Sequence, residues 1–289
     1  MKFSVIIPTY SDWSRLLQCV AALHNQALPQ DQYEIIVVDN SKEGIIPDDV
    51  YLPEYVHFVH ESRSGSYHAR NRGSEISIGE ILAFTDSDCI PDENWLENAQ
   101  KYFDGINDLV GGKVEIFNSE SGSTYGYLYE RATAFPQDRN VPRGRGVTAN
   151  LFVKRKVFEK IGGFDSSVKS GGDWDFTRRC TEAGYQIVYA DDVIVKHPAR
   201  DLPSIFKKHY RLTCGGALNT KRAYGHSYLR MLGSHLKGTL TGDRNKALVL
   251  LSRNEKAIVF SIEVMKFVYR TIIYIGMILR VIDPNKIKE

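Results

Sequence analysis

The sequence predicts an α/β fold in which a mostly parallel sheet carries helices on both faces. Short apolar, β-branched runs alternate along the chain with stretches whose apolar residues recur at helical spacing. Each apolar run ends in polar, turn-forming residues, and short links of this kind are typical of a parallel sheet. Charge then divides the chain, because residues 1–199 carry 20 Lys/Arg against 29 Asp/Glu, whereas residues 200–289 carry 17 against 6. We therefore expect an α/β domain over residues 1–199 and a basic, helical region over residues 200–289.

The elements of the α/β domain follow in chain order. Lys2–Pro8 is predicted to be a buried first strand, and the apolar positions from Leu16 to Leu23 predict the helix after it. Later strands are predicted at Tyr33–Val38, Val56–Val59, Ile81–Phe84 and Leu109–Phe117, and later helices at Tyr67–Ser77, Asn94–Phe103 and Arg155–Ile161. Four cysteines without paired spacing suit a reducing compartment. The N-terminal apolar run ends at Pro8, too early for a signal peptide, so we expect a cytoplasmic protein.

Two carboxylates, separated by one residue, follow the predicted strand at Ile81–Phe84. Ligands of an open α/β sheet bind outside the carboxyl ends of its strands, where Asp86 and Asp88 could hold a divalent cation that also binds substrate phosphates. Asp39 ends the second strand on the same rim and could accept a hydrogen bond from the N–H edge of uracil or guanine. The alternative for all three residues is a turn or helix-capping role.

Seven short motifs occur in order along the first 200 residues. The first four are Val5–Tyr10, Ile36–Ser41, Ala69–Gly73 and Phe84–Asp88, and the later three are Thr148–Asn150, Phe158–Asp165 and Asp173–Phe176. Together they resemble the motifs of the family 2 inverting glycosyltransferases, which have the nucleotide-sugar-binding fold called GT-A. The resemblance implies a nucleotide-binding half over about residues 1–110 and an acceptor half over about residues 111–199.

The resemblance assigns donor-binding roles to matching residues. Those that it places around the nucleotide base are Pro8, Thr9, Tyr10 and Asp39. It places Arg70 near the base or the diphosphate, and Asn150 in the donor-sugar or acceptor pocket. Short strands or extended links are also predicted at Gln186–Tyr189 and Val193–Lys196, and Arg200 follows them closely enough to reach a diphosphate.

The resemblance also implies a divalent metal, Mn²⁺ or Mg²⁺, and a general base. Asp88 would ligate the metal, and Asp86 would contact the ribose or the metal, as in the DXD motif of these enzymes. Many members of this fold place a third ligand where His197 stands, although a structural histidine is the alternative. Asp173 would be the general base.

One position departs from the family pattern. The family usually has a glutamate before the aspartate that serves as base, but here that position is Gly172. The departure leaves the base assignment open between Asp173 and Asp175, and Asp173 also suits a helix N-cap. Arg179, on the same predicted helix, could keep either carboxylate ionised.

The C-terminal region has an excess of positive charge that indicates an anionic partner. Ala257–Ile282 is apolar, but its longest uncharged run, Thr271–Leu279, is too short to span a membrane. Glu263, Lys266, Arg270 and Arg280 interrupt this apolar segment, and one narrow helical stripe is formed by Lys256, Glu263, Lys266 and Arg270. This pattern predicts a helix lying on the inner face of the plasma membrane with its polar edge in water. The alternative is a helix packed on the catalytic domain or on a second subunit; nucleic acid is not expected as a partner.

The expected activity is the metal-dependent transfer of a single sugar to a hydroxyl of a glycan or lipid-linked acceptor. A UDP-sugar is expected as donor ahead of a GDP- or dTDP-sugar. The Gln-x-x-Arg-Trp signature of processive polysaccharide synthases is absent from the sequence, and this favours addition of one sugar at a time. The alternatives are a nucleotide- or glycan-binding module without turnover, which Gly172 keeps open, and a nucleotidyltransferase.

Overall fold

The computed structural model describes residues 2–119, 122–238 and 251–286. The chain divides into two compact units. The first unit comprises Met1–Glu115, Phe135–Ser167 and Gly172–His197. The second comprises Ile116–Ala134, Val168–Gly171 and Pro198–Glu289, so residues 116–134 group with the C-terminal helices.

The first unit contains an eight-stranded sheet. Its strands are β1 (Phe3–Thr9), β2 (Tyr33–Asp39), β3 (Val56–His60), β4 (Ile81–Thr85), β5 (Ile90–Pro91), β6 (Leu109–Phe117), β7 (Asn150–Lys154) and β8 (Ile187–Pro198). The order across the sheet is β3-β2-β1-β4-β7-β6-β8-β5. β3, β2, β1 and β4 are parallel, as predicted, whereas β7 is antiparallel to both β4 and β6. The reversal at β7 brings its first residue, Asn150, beside Thr85 at the carboxyl end of β4.

Ten helices occur in the described residues. They are α1 (Trp13–His24), α2 (Ser66–Ile76), α3 (Trp95–Lys101), α4 (Thr124–Thr133), α5 (Gln137–Asn140), α6 (Arg155–Ile161), α7 (Gly172–Glu182), α8 (Leu202–Tyr224), α9 (Tyr228–Gly238) and α10 (Arg253–Ile278). α4, α8, α9 and α10 belong to the second unit. The helices predicted near residues 67–77, 94–103 and 155–161 are present within two residues at each end.

Helices cover both faces of the sheet, as the sequence predicts. Val5 and Ile7 of β1 enter one apolar core together with Leu16 of α1. Ile6, between them, enters the core on the opposite face with Phe176 of α7. Alternate residues of a strand point to opposite faces, so a strand covered on both sides is apolar throughout.

The second unit is helical and contains two apolar clusters. One joins α8, α9 and α10, and the other joins α4, α8 and α10. Ser252 and Glu255 form a reciprocal capping box at the start of α10. Within the described residues, none of the helices is both long enough and apolar enough to cross a membrane.

The charged stripe of α10 is only partly in water, where the sequence-based expectation put all of it: Lys256 is exposed and Glu263 is 40% exposed, but Lys266 is 15% exposed and contacts α4. Lys266 Nζ donates to the hydroxyl of Tyr129 on α4 over 2.7 Å, and that hydroxyl donates to Glu263 over 2.8 Å. Lys266 also pairs with Glu263 directly. Apolar residues of α10 such as Val259, Ile262 and Ile273 are buried in the two clusters, and a further apolar face of the helix is left in solvent.

Candidate active site

The carboxyl ends of β1, β2 and β4 place several predicted donor-binding residues on one rim of the sheet. Thr9 lies beside Asp39 in the register of β1 and β2. Asp39 is fully buried, and its two carboxylate oxygens accept from the amide and the hydroxyl of Ser41 over 3.0 and 2.6 Å. The buried Thr9 hydroxyl has no hydrogen-bond partner within the described part of the chain. Pro8 is partly buried, and Tyr10 is 67% exposed at the end of the same strand.

The turn after β4 brings together a set of side chains that could hold a metal ion. One ligand atom each from Asp86, Asp88 and Cys89 lies within 4.8 Å of the others. The Nε2 atom of the buried His197, on β8, lies 3.3 Å from Asp88 Oδ2, so the imidazole adjoins the cluster through Asp88. Burial and the two aspartates raise the pKa of Cys89, and a protonated thiol is a poor ligand. Two carboxylates and an imidazole form a donor set that suits Mn²⁺.

Arg70 connects this turn to α2. Its guanidinium Nη2 lies 2.5 Å from Asp86 Oδ1, and the side chain is only 6% exposed. Its Nε is buried without a hydrogen-bond partner among the residues that the structure describes. A buried, unpaired N–H is costly unless a further acceptor reaches it, and a diphosphate oxygen is such an acceptor.

Asp173 lies in the first turn of α7 and is partly buried. Its Oδ1 accepts from the amide of Trp174 over 3.0 Å and lies 3.4 Å from the hydroxyl of Tyr67. Burial raises the pKa of Asp173 above its ordinary value, the Trp174 amide and the charge of Arg70 oppose that rise, and the charge of Asp86 adds to it.

Asp175 differs from Asp173 in its surroundings. Burial alone would raise its pKa, but hydrogen bonds from Arg179 and Arg178, at 2.8 and 2.7 Å, hold the pKa below its ordinary value. Of Asp173 and Asp175, the two carboxylates that the sequence predicts as partners of Arg179, Asp175 is therefore the one with which it pairs. A carboxylate held by two guanidinium groups is a weaker base than one without them.

Asn150 and Arg200 are engaged in other contacts. The amide of Asn150 donates to the backbone oxygens of Lys113 and Val193, both over 2.8 Å, and its oxygen accepts from Trp95 over 2.9 Å. Arg200, in the second unit, contacts the buried carboxylate of Glu130 through its amide and its guanidinium, at 2.8 and 3.1 Å. The substrate-binding roles of both residues stay predictions, and the contacts of Asn150 do not favour its role.

Sequence reasoning missed Tyr67, which contacts Asp173, and Glu130, which pairs with Arg200. Tyr67 precedes the Ala69–Gly73 motif by two residues, and that closeness was the one available signal. Nothing in the sequence pointed to Glu130.

Comparison with known proteins identifies the family. The profile of glycosyl transferase family 2 matches residues 4–162. The chain belongs to this family. It is 38% identical to Glycosyltransferase AglE of Haloferax volcanii over 219 residues, which cover 73% of this chain and 72% of that protein. It is also 28% identical over 188 residues to the uncharacterized glycosyltransferase YwdF of Bacillus subtilis, covering 63% and 69% of the two chains.

Solved structures show the same fold. The mannosyltransferase PcManGT from Pyrobaculum calidifontis, in complex with GDP-Man and Mn²⁺, superposes with a TM-score of 0.60 at 19% identity over 95% of this chain and 87% of that one. S. aureus TarS 1-349 in complex with UDP-GlcNAc superposes with a TM-score of 0.55 at 16% identity, covering 94% and 82%. This family 2 chain is therefore a glycosyltransferase with the GT-A fold, as the resemblance of its motifs implies.

Proposed function

We propose that this family 2 glycosyltransferase moves a single sugar from a nucleoside-diphosphate sugar to a hydroxyl of a glycan or lipid-linked acceptor, with inversion. The observation that carries the proposal is the presence of two kinds of carboxylate in one region. Asp86 and Asp88 form a pair suited to a cation, whereas Asp173 has a pKa raised by burial. A raised pKa brings a carboxylate closer to the working pH and suits a general base.

In the proposed step, Asp173 accepts the proton of the acceptor hydroxyl while the hydroxyl oxygen forms a bond to the anomeric carbon. The bond from that carbon to the diphosphate oxygen breaks, and its electron pair leaves with the nucleoside diphosphate. Attack from the face opposite the leaving group inverts the configuration. The Nε–H of Arg70, which has no hydrogen-bond partner among the described residues, can donate to the diphosphate oxygen on which negative charge develops.

Asp86, Asp88 and His197 would hold the metal, Mn²⁺ or Mg²⁺. The mannosyltransferase complex with GDP-Man and Mn²⁺ supports this part of the proposal. A bound cation would supply positive charge to the departing diphosphate.

The donor is best identified by a panel of nucleotide sugars with Mn²⁺ or Mg²⁺. The expected result is metal-dependent release of a nucleoside diphosphate, from a UDP-sugar ahead of a GDP- or dTDP-sugar, together with protection against heat by the same donor. Release of pyrophosphate would instead indicate a nucleotidyltransferase, and protection without turnover would indicate a binding module. The proposal is overturned if no donor produces either response.

The second unit offers a surface for the membrane that would carry a lipid-linked acceptor. Between residues 260 and 278, one face of α10 is apolar and exposed, and its side chains are Phe260, Val264, Val268, Ile272, Ile275 and Ile278. The charged residues of the same stretch, Glu263, Lys266 and Arg270, lie on the opposite side of the helix. An exposed apolar stripe of this length is unusual on a monomer.

The charge of the region favours a lipid surface over a second copy of the chain as the occupant of this face. Residues 200–289 carry 17 Lys/Arg against 6 Asp/Glu, and basic residues near an anionic bilayer contribute on the order of 1 kcal/mol each. Two copies meeting through this region would bring like charges together.

A liposome flotation experiment tests this surface. The wild type is expected to float with anionic liposomes at low salt and less at high salt, whereas a Phe260→Glu, Ile272→Glu variant is expected to stay at the bottom of the gradient. Ile106→Glu is the matched control, since Ile106 is 81% exposed in the first unit, and this variant should float like the wild type.

Absence of wild-type binding to either anionic or neutral liposomes at low salt would exclude the membrane. A dimer that dissociates in the same double variant, measured by light scattering, would then identify the face as a homo-oligomer interface.

A further inference from the structure

Tyr67 lies against the start of α7, where the family's usual glutamate is replaced by Gly172. Its hydroxyl oxygen accepts from the amide of Gly172 over 2.8 Å and from the amide of Asp173 over 3.3 Å. The same hydroxyl lies 3.4 Å from Asp173 Oδ1. One side chain on α2 therefore contacts both the backbone and the carboxylate at the beginning of α7.

Gly172 is required by space at this contact. A Cβ at this position would lie 2.7 Å from Cε2 and 2.8 Å from Cζ of the Tyr67 ring. Real Cβ atoms do not approach ring carbons this closely, so any side chain at position 172 would displace Tyr67. At the position where the family usually has a glutamate, this chain therefore has Gly172 with the ring of Tyr67 packed against it.

The hydroxyl of Tyr67 is available as a donor to Asp173. Two amides already donate to its oxygen, and the nearest carboxylate oxygen is Asp173 Oδ1. Burial is the largest cause that raises the pKa of Tyr67, and the charge of Asp173 raises it further. The phenol therefore keeps its proton at working pH. The Trp174 amide donates to the same Oδ1. We assign proton transfer to the other oxygen, Oδ2.

Tyr67 also lies next to the donor side of the site. The guanidinium carbon of Arg70 lies 5.8 Å from the centroid of the Tyr67 ring, and the same guanidinium donates a hydrogen bond to the carboxylate of Asp86. A displaced Tyr67 would therefore disturb both the carboxylate of Asp173 and the support of Arg70.

We propose that Tyr67 is the positioning residue for Asp173, and that Gly172 exists in this chain to make room for it. This inference rests on the proposed function, in which Asp173 is the general base. Tyr67 holds the Asp173 carboxylate in one orientation through Oδ1 and ties the first turn of α7 to α2.

The test is Tyr67→Phe, measured as kcat, donor KM and calorimetric binding of nucleoside diphosphate with Mn²⁺. The ring and its packing remain, but the hydroxyl is lost. The expected result is a fall in kcat of about tenfold with donor binding near that of the wild type, because misplacing a base slows the chemical step. The melting temperature should fall as well, since the amides of Gly172 and Asp173 lose their acceptor. Tyr185→Phe is the matched control, since Tyr185 is also a partly buried tyrosine packed on the same core, and it should leave kcat unchanged.

A double variant separates positioning from a merely structural role. In an Asp173→Asn background the base is absent, so Tyr67→Phe should cause no further loss, whereas a general defect in folding would lower activity in both backgrounds. Gly172→Ala acts on the same contact in a different way, because its Cβ would push the Tyr67 ring away, and it should also lower kcat. Since the displaced ring would lose its contact with Arg70, this variant should weaken donor binding as well.

A normal kcat in Tyr67→Phe, or equal losses in both backgrounds, overturns the inference. Failure of the proposed function has a different signature, since no donor would then be turned over by the wild type, or Asp173→Asn would keep full turnover.

Discussion

Replacing Asp173 by asparagine is expected to lower turnover by about 100-fold or more while nucleotide binding stays near that of the wild type. Asparagine keeps the size of the side chain. Its oxygen can still accept from the Trp174 amide, which lies 3.0 Å from Asp173 Oδ1 in the wild type. It cannot take a proton from an acceptor hydroxyl at working pH. The measurement is nucleoside diphosphate release at saturating donor, combined with calorimetric titration of nucleoside diphosphate and Mn²⁺.

Asp175→Asn is the matched control for this experiment. Asp175 is two residues further along α7, but its carboxylate is held by Arg178 and Arg179 at 2.7 and 2.8 Å. Its replacement is expected to change turnover by no more than a few fold, because the chemistry does not use a carboxylate engaged in this way. The opposite pattern, with near-normal turnover in Asp173→Asn and a large loss in Asp175→Asn, would assign the base to Asp175.

Replacing Asp88 by alanine is expected to abolish metal-dependent binding of the donor. Asp88 is close both to the carboxylate of Asp86 and to the imidazole of His197, so its loss removes the ligand that the other two share as a neighbour in the proposed metal site. Without the cation, the diphosphate lacks its counter-charge. In the wild type, nucleoside diphosphate and Mn²⁺ together should raise the melting temperature, since a ligand at 100 times its Kd stabilises by about 2.7 kcal/mol. Asp88→Ala should show no such rise.

Two controls accompany this measurement. Asp104→Ala removes an exposed carboxylate from the turn after α3 and should keep the full metal-dependent rise. A chelator should remove the rise in the wild type. A normal, Mn²⁺-dependent rise in Asp88→Ala would overturn the assignment of Asp88 as a metal ligand.

Local sequence was sufficient for most of the elements that build the catalytic rim. The strand at Leu109–Phe117 and the helix at Arg155–Ile161 have the predicted bounds. An apolar run that ends in a carboxylate predicts both a buried strand and the residue at which the chain leaves the sheet. Asp39 and Asp86 lie at such positions, at the ends of two parallel strands of the sheet. The antiparallel direction of β7 has no comparable local signal, because strand direction depends on how the intervening chain returns.

The direction in which α10 faces could not be read from its pattern. Periodicity placed Glu263, Lys266 and Arg270 on one stripe, and that stripe exists. The sequence-based expectation put the stripe in water, as polar residues usually are. Tyr129, more than a hundred residues away in the chain, supplies a hydroxyl that both Glu263 and Lys266 contact, and this partner holds Lys266 against α4.

The sequence by itself determined the family, the GT-A fold and the position of the aspartates at the carboxyl ends of β2 and β4, because each of these is encoded in short contiguous motifs. The tertiary structure alone decided the surroundings of those residues. It brought Tyr67 to Gly172 across 105 positions of sequence, His197 to Asp88, and the amide of Asn150 into the sheet. The physical reason is that a residue's type and spacing are local, whereas its hydrogen-bond partners and the burial that shifts its pKa come from distant segments.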